Sequence, residues 1–307
     1  MKIRFWGVRG SIPSPGPRTM RYGGNTTCIE VRADDGTLII LDGGTGIFPL
    51  AQELLRQLPV SAHVFITHTH WDHIHGLPFF TPLYIPGNKV RIYGAFDPVT
   101  GCGIEQVMEV QLQYSYFPIR EAEMKAAISY ESLRIGQQVE LGGEGAACSA
   151  TITCSLLNHP VVDLGYRIDC NGKSVFFTGD HEPYYNIYSP EDEGYAEYQM
   201  LIEQQQRSVD DAMRGVDVLI ADSSYTIAEY PGRKGWGHGT FDSSIDLARR
   251  VGAKKLVCTH HEPTRSDEEL ERVFAEALER NSYSPHSPGQ AGDPEILLAY
   301  EALEIEL

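Results

Sequence analysis

One six-residue stretch, His68-Thr69-His70-Trp71-Asp72-His73, carries three imidazoles and a carboxylate. It follows directly on the apolar run His63-Val64-Phe65-Ile66-Thr67, which predicts a short strand over 63–67. A strand ending there puts the side chains on a loop at the rim of a sheet, held by a rigid element. His68 and His70 can face one metal ion; Asp72 and His73, on the following turn, can face a second. Imidazole nitrogens with a carboxylate suit zinc first, and also manganese or iron. The bland alternative is a histidine-rich surface loop, and three His and one Asp at this spacing argue against it.

The elements that must position these residues can be read from periodicity. Strands are predicted over 2–6, 27–33, 37–41 and 89–93, and a helix over 48–58 with Leu50, Leu54 and Leu58 on one face. The stretch 103–130 reads as a helix followed by a lid-like loop bearing Tyr114, Tyr116 and Phe117. Further strands are expected over 150–157, 164–169, 173–178, 217–221 and 255–259, with a last strand within 295–305. Helices are expected over 191–214, 240–251 and 267–280, and the turn-rich 282–293 reads as a loop. Strands open each half and strand–helix units close it. This predicts an α/β architecture, an αββα sandwich of two mixed β-sheets flanked by helices. No linker divides 1–307, so one domain is expected, with a helical insertion at about 184–216 that is either a homodimer surface or a lid.

The formal charge is −17. Such an acidic chain repels nucleic-acid backbones unless it carries a basic arm, and no Lys/Arg cluster of that kind is visible. A nucleic-acid partner is therefore disfavoured. No apolar stretch is long enough to span a membrane, and the opening MKIRFWGVRGS lacks an apolar signal core. The six cysteines, Cys28, Cys102, Cys148, Cys154, Cys170 and Cys258, form no C-x-x-C pair. The chain reads as cytoplasmic, with reduced and mostly buried thiols.

The His68–His73 stretch resembles the H-x-H-x-D-H hallmark of the metallo-β-lactamase superfamily. That resemblance implies three further ligands, and each has a match in order: His159 in Leu157-Asn158-His159-Pro160, Asp180 in Phe177-Thr178-Gly179-Asp180, and His260 in Val257-Cys258-Thr259-His260. The implied ligand set is His68, His70, Asp72, His73, His159, Asp180 and His260 around two divalent ions. An Asp rather than a Cys at the bridging position is typical of the phosphodiesterase and glyoxalase-type branches, since a carboxylate can span two cations and a thiolate favours zinc.

A second tier narrows the branch. Gly235-Trp236-Gly237-His238-Gly239-Thr240 resembles the G-H-S-T element of transfer-RNA 3′-processing nucleases and related phosphodiesterases. The resemblance gives His238 contact with the scissile phosphate and protonation of the leaving group, against a histidine that only caps or packs a helix. Phe5-Trp6-Gly7-Val8-Arg9-Gly10-Ser11, Tyr22-Gly23-Gly24-Asn25-Thr26, Leu41-Asp42-Gly43-Gly44-Thr45-Gly46 and His260-His261-Glu262-Pro263 are similar to bacterial cyclic-nucleotide and cyclic-phosphate phosphodiesterases. Asp42 is a candidate partner for a ligand imidazole, against a plain Asp-Gly turn. Asp222 could orient a site histidine, against a loop or cap role. His75, His181 and His261 sit beside ligands, and His181 is the one weighed for substrate contact. His63 reads as structural, His286 as a solvated loop residue, and Arg9 as a surface charge rather than a phosphate contact.

The expected chemistry is hydrolysis of a small phosphodiester, such as a cyclic nucleotide, by a metal-bridging hydroxide. His238 and Asp72 are the catalytic candidates. Two divalent ions, less Asp72, Asp180 and the hydroxide, leave a net positive site for a singly charged diester. Two alternatives remain open: a transfer-RNA 3′-processing endonuclease, which shares the ligands and the His238 element, and a di-iron protein that binds oxygen or senses redox state.

Overall fold

The computed structural model describes residues 1–142, 149–283 and 293–307. Two seven-stranded sheets pack face to face with helices on their outer surfaces. The first sheet contains β1 (Lys2–Gly7), β2 (Cys28–Arg32), β3 (Leu38–Leu41), β4 (Ser61–Phe65), β5 (Lys89–Ala95), β6 (Ala127–Leu133) and, from the far end of the chain, β14 (Glu304–Glu306). Its order is β14-β1-β2-β3-β4-β5-β6. The second contains β7 (Gln138–Leu141), β8 (Ala150–Leu156), β9 (Leu164–Cys170), β10 (Lys173–Phe177), β11 (Val218–Asp222), β12 (Lys255–Thr259) and β13 (Glu295–Leu298), in the order β13-β12-β11-β10-β9-β8-β7. The helices are α1 (Ile47–Leu54), α2 (Trp71–Ile74), α3 (Ile104–Gln111), α4 (Tyr195–Met213), α5 (Phe241–Val251) and α6 (Asp267–Arg280).

Each sheet changes character midway. β3 to β6 run parallel, as do β10 to β13, and the other neighbours are antiparallel. The inner parallel strands β3 and β11 are covered on both faces, which is why LIIL and VLIAD are continuous apolar runs rather than alternating ones. Their side chains still alternate. Ile39 and Leu41 enter the core between the sheets with Phe65, Tyr166, Phe177 and Ile220. Leu38 and Ile40 face outward onto Ile47, Leu50 and Leu54 of α1. On the other side Phe176, Leu219 and Leu256 pack beneath Met213 of α4, Phe241 and Ile245 of α5, and Leu270 of α6.

Two expectations need correction. The 103–130 stretch is not helix and loop throughout: α3 ends at Gln111 and an edge strand, β6, begins at Ala127. Its AISYESL sequence is half-exposed along most of its length, so it lacks the apolar run that flags a buried strand. β7 went unread for the same reason. The tail is two strands in different sheets, since β13 pairs with β12 and the chain then crosses over to pair β14 with β1. Within the suspected insertion, α4 occupies 195–213 and anchors through Ile202, Val209 and Met213. Tyr114 and Tyr116 are exposed rather than packed in a core, and Phe117 lies edge-on to Phe79 at 5.4 Å.

Cys28, Cys154, Cys170 and Cys258 are buried free thiols and Cys102 is half-buried. Cys148 and His286 lie outside the described residues. Among the described residues no helix is long and apolar enough to cross a membrane.

Candidate metal centre

The carboxyl ends of the parallel strands of both sheets meet at one rim, where open α/β sheets bind their ligands. Asp42 follows β3, His68 follows β4, Asp180 follows β10, Asp222 ends β11 and His260 follows β12. His159 follows β8 of the same sheet. Leaving a strand and turning at once toward the cleft requires unusual backbone. Asp42 and His260 adopt φ of 61° and 59°, a left-handed conformation that costs non-glycine residues about 1–2 kcal/mol. Gly179, at φ 59°, also has no room for a side chain, since a Cβ would press on Thr67 and Asp163.

The side chains gather into three overlapping donor sets that share Asp180, two made of the expected ligands and a third that joins Asp180 and His260 to Asp222 and His238. In the first, His68 Nε2 and His159 Nε2 lie 2.9 and 3.1 Å from His70 Nδ1. Asp180 Oδ2 stands 3.6 Å from His68 and 3.9 Å from His159. In the second, His73 Nε2 and His260 Nε2 lie 3.3 and 3.1 Å from Asp72 Oδ2, and 3.3 and 3.1 Å from Asp180 Oδ1. His73 Nε2 and Asp180 Oδ1 are buried with no hydrogen-bond partner. Buried polar atoms left unmatched in a native fold call for an explanation, and converging lone pairs from imidazoles and carboxylates fit cations there. The donors suit two divalent ions bridged by Asp180, with nitrogen and oxygen ligands as zinc, manganese or iron accept.

Four of the five ligand imidazoles, and His238, are held from behind. Asp42 takes His73 Nδ1 at 2.7 Å and is itself fixed by the Thr67 amide at 2.7 Å. Asp163 stands 2.8 Å from His68 Nδ1. The Gly237 carbonyl accepts from His159 Nδ1 at 3.0 Å, and the Ser224 hydroxyl meets His260 Nδ1 at 2.9 Å. Asp222 holds His238 Nδ1 at 2.9 Å. Such partners fix the tautomer and the ring plane. Asp42 and Asp222 stand in the orienting places the sequence suggested. Asp163, Ser224 and Gly237 were missed. Asp163 did leave a signal: a lone carboxylate in the apolar run Val161-Val162-Asp163-Leu164-Gly165, where burial demands a partner.

Electrostatics divide the two sets of expected ligands. Burial pushes His68, His70 and His159 down, so they stay neutral, as ligands must be. Burial also opposes the charging of His73 and His260, yet Asp180 and Asp72 raise both. Against its own burial, Asp180 is held well below the ordinary carboxylate range by His260, His73, His238 and His68. Protons on His73 and His260 thus balance the carboxylates, and a bound cation replaces them. Burial and the neighbouring Asp180 push the Asp163 carboxyl well up, so it adds less negative charge than its type suggests.

His238 sits in the loop before α5, whose first turn is closed by reciprocal Thr240–Ser243 bonds of 3.0 and 2.8 Å. Its ring stacks on His260 at 5.0 Å, and Nδ1 is 3.6 Å from Asp180. Burial opposes its protonation, but Asp180 and Asp222 push it up to about 9.

The remaining candidates fall elsewhere. His181 is buried, accepts the Asn158 amide on Nδ1 at 3.3 Å, and belongs to none of these donor sets. His261 is bonded through Nε2 to Ala299 O at 2.8 Å. His63 meets the Tyr93 hydroxyl at 3.2 Å. His75 lies on the surface against Trp71. Arg9 is neither exposed nor at the site: it is fully buried and ties together the carbonyls of Gly23, Glu262 and Arg265.

Residues 37–261 match the family model of a beta-lactamase superfamily domain. The match covers well over half the chain, and the chain belongs to that family. It is 23% identical to ribonuclease Z of Staphylococcus epidermidis, with 93% of this chain and 96% of the relative aligned. Among solved structures, the metallo-beta-lactamase fold protein YhfI from Bacillus subtilis superposes with a TM-score of 0.65 at 18% identity, covering 100% of this chain and 99% of that one. A diphosphatase from the PhnP family gives 0.60 at 21% identity, covering 100% and 97%. At these identities the likeness is one of fold.

Proposed function

We propose that this member of the beta-lactamase superfamily is a dinuclear-metal phosphodiesterase acting on a small diester such as a cyclic nucleotide. The observation that carries the reading is His238, gripped by Asp222 beside the shared Asp180, at the edge of a two-cation donor set. His68, His70 and His159 would hold one ion, Asp72, His73 and His260 the other, and Asp180 both. Two divalent ions so placed lower the pKa of bound water and supply a nucleophile near neutral pH.

The chain's own residues supply the rest. Asp222 fixes His238 through Nδ1 and leaves Nε2 as the atom able to meet substrate. Burial opposes charge on that ring, while Asp180 and Asp222 favour it in the metal-free protein, and Asp222 stays on Nδ1 to favour the proton when cations engage Asp180. A charged imidazole there binds the diester anion and can pass its Nε2 proton to the departing alkoxide. A lactam or thioester offers no anion to such a group.

A ribonuclease reading is the second, favoured by the near full-length alignment with ribonuclease Z. Surface charge speaks against it. The sequence has three adjacent basic pairs. Arg249–Arg250 is spent on Asp293 and Asp210, and Lys254–Lys255 on Asp217 and Glu295. Arg233 and Lys234 lie over the rings of Trp236 and Tyr185.

The test is to strip metal, reload separately with zinc, manganese and iron, and assay bis(p-nitrophenyl) phosphate, 3′,5′- and 2′,3′-cyclic nucleotides and a transfer-RNA precursor. Metal-dependent turnover of a small diester, falling about a hundredfold in His238→Ala as loss of a general acid should, is expected. Turnover of the precursor alone would move the ribonuclease reading to first place. No turnover with any metal, in a protein that binds two ions, would overturn both.

A further inference from the structure

The loop that carries His238 is held by a side chain outside it. Gly235 and Gly237 adopt φ of 87° and 88°, and their amides turn inward. Successive inward amides commonly cradle an anion, and here the anion is internal. Gly235 N donates to Glu182 Oε1 at 2.8 Å, Gly237 N to Oε2 at 2.9 Å, and the Tyr230 hydroxyl to Oε1 at 2.8 Å. Glu182 is only 3% exposed. Its backbone is tied both ways to Asn158: Glu182 N donates to Asn158 O at 2.9 Å, and Asn158 Nδ2 to Glu182 O at 3.0 Å. It stands two residues after Asp180. One residue therefore joins the turns that carry Asp180, His159 and His238.

The joint matters because of what Gly237 does next. Its carbonyl accepts from His159 Nδ1 at 3.0 Å, and a side chain at 237 would overlap that imidazole. The place of this one peptide thus sets the plane of the His159 ring and the start of the arm that presents His238.

We propose that Glu182 is the positioning residue of the site: its carboxylate, seated among the amides of 235–237, fixes both the His159 imidazole and the approach of His238. The inference rests on the roles given above to those two residues. The Glu182 carboxylate touches neither His159 nor His238 in these bonds and acts through the Gly235 and Gly237 amides. A carboxylate is required because it accepts on both oxygens; a carboxamide accepts on one and turns an NH2 against an inward amide.

The experiment compares Glu182→Ala and the nearly isosteric Glu182→Gln with the parent, by zinc affinity in chelator competition and by kcat and KM on bis(p-nitrophenyl) phosphate. In Glu182→Ala one of the two zinc ions is expected to bind about tenfold to a hundredfold more weakly, the range seen when a ligand's outer partner is lost. At saturating zinc kcat falls by a similar factor while KM stays within about twofold, and Glu182→Gln lies between. A purely structural side chain would lower the melting temperature and leave both readouts in place. If both variants bind two zinc ions and turn over like the parent, the proposal is overturned. If Glu182→Ala does not fold, Glu182→Gln decides. If the parent has no phosphodiesterase activity, zinc competition still decides for or against Glu182, and the functional reading fails separately.

Discussion

Replacing Asp163 by alanine isolates the support of one imidazole. The Asp163 carboxyl is fully buried, and Oδ1 lies 2.8 Å from His68 Nδ1. Among the described residues the Thr67 hydroxyl, at 3.2 Å, is the other group that reaches that nitrogen. Loss of such an outer partner of a metal-ligating imidazole costs about 1.4–2.8 kcal/mol of metal affinity. At about 1.4 kcal/mol per factor of ten, losing it weakens the ion held by His68, His70 and His159 by about tenfold to a hundredfold. The ion at Asp72, His73 and His260 has its own outer partner in Asp42 and is expected to stay within about threefold. Asp163→Asn keeps an acceptor oxygen and almost the same volume, so it should bind both ions nearly as the parent does. The assay is chelator competition resolved into two binding steps, with metal content counted at each. The reasoning is refuted if Asp163→Ala loads two ions with parental affinity, if both steps weaken together, or if Asp163→Asn falls as far as alanine.

Three further outcomes follow from the same geometry. Gly237→Ala places a methyl group against the His159 ring at a φ of 88°, so its first-site metal affinity should fall about tenfold to a hundredfold, read by the same competition. Thr240→Ala removes the cap of α5, whose hydroxyl accepts from Ser243 N at 3.0 Å. It should cost about 0.5–2 kcal/mol in urea unfolding, with a smaller loss counting against the cap. Acid should destabilise the metal-free protein through His181 and His261, pushed down by burial to about 4 and about 3. The unfolded chain takes up these protons below about pH 6.5 and the folded chain does not, so stability falls with pH at about 1.4 kcal/mol per unit for each group. His261→Gln, which keeps a donor for Ala299 O, should reduce that slope by about one such increment between pH 6 and 4. An unchanged slope would show that His261 is protonated in the fold.

What could be read beforehand follows a physical rule. Strands buried on both faces declare themselves as apolar runs, so β3, β4, β11 and β12 were legible, and so were the chemistry-bearing residues that follow His63–Thr67 and Leu256–Thr259. β6 was not, because an edge strand with half-exposed side chains carries no such pattern. The crossover that sends β14 to the opposite sheet was hidden too, since pairing between chain ends is a tertiary fact. Among site residues, the donors were legible because their types and spacing are unusual. Their outer partners were mostly not, because an Asp, a Ser or a glycine carbonyl becomes informative only once the fold brings it within 3 Å of an imidazole.

That contrast bears on how the site gains its precision. Seven donors from four separate segments, at 68–73, 159, 180 and 260, must converge to within about half an ångström, and loops alone do not provide this. Here the parallel strands set the turns at one rim, and a second layer of groups backs four of the five ligand rings: Asp42 behind His73, Asp163 behind His68, Ser224 behind His260, Gly237 behind His159. Three of these four do not depend on one another, so their loss should act locally on one ion. The fourth is different, because the Gly237 peptide also carries His238 and is itself held by Glu182. Damage there should reach metal binding and proton transfer together. Asp222 makes a second link of this kind, since it holds both His238 and Ser224, the partner of His260.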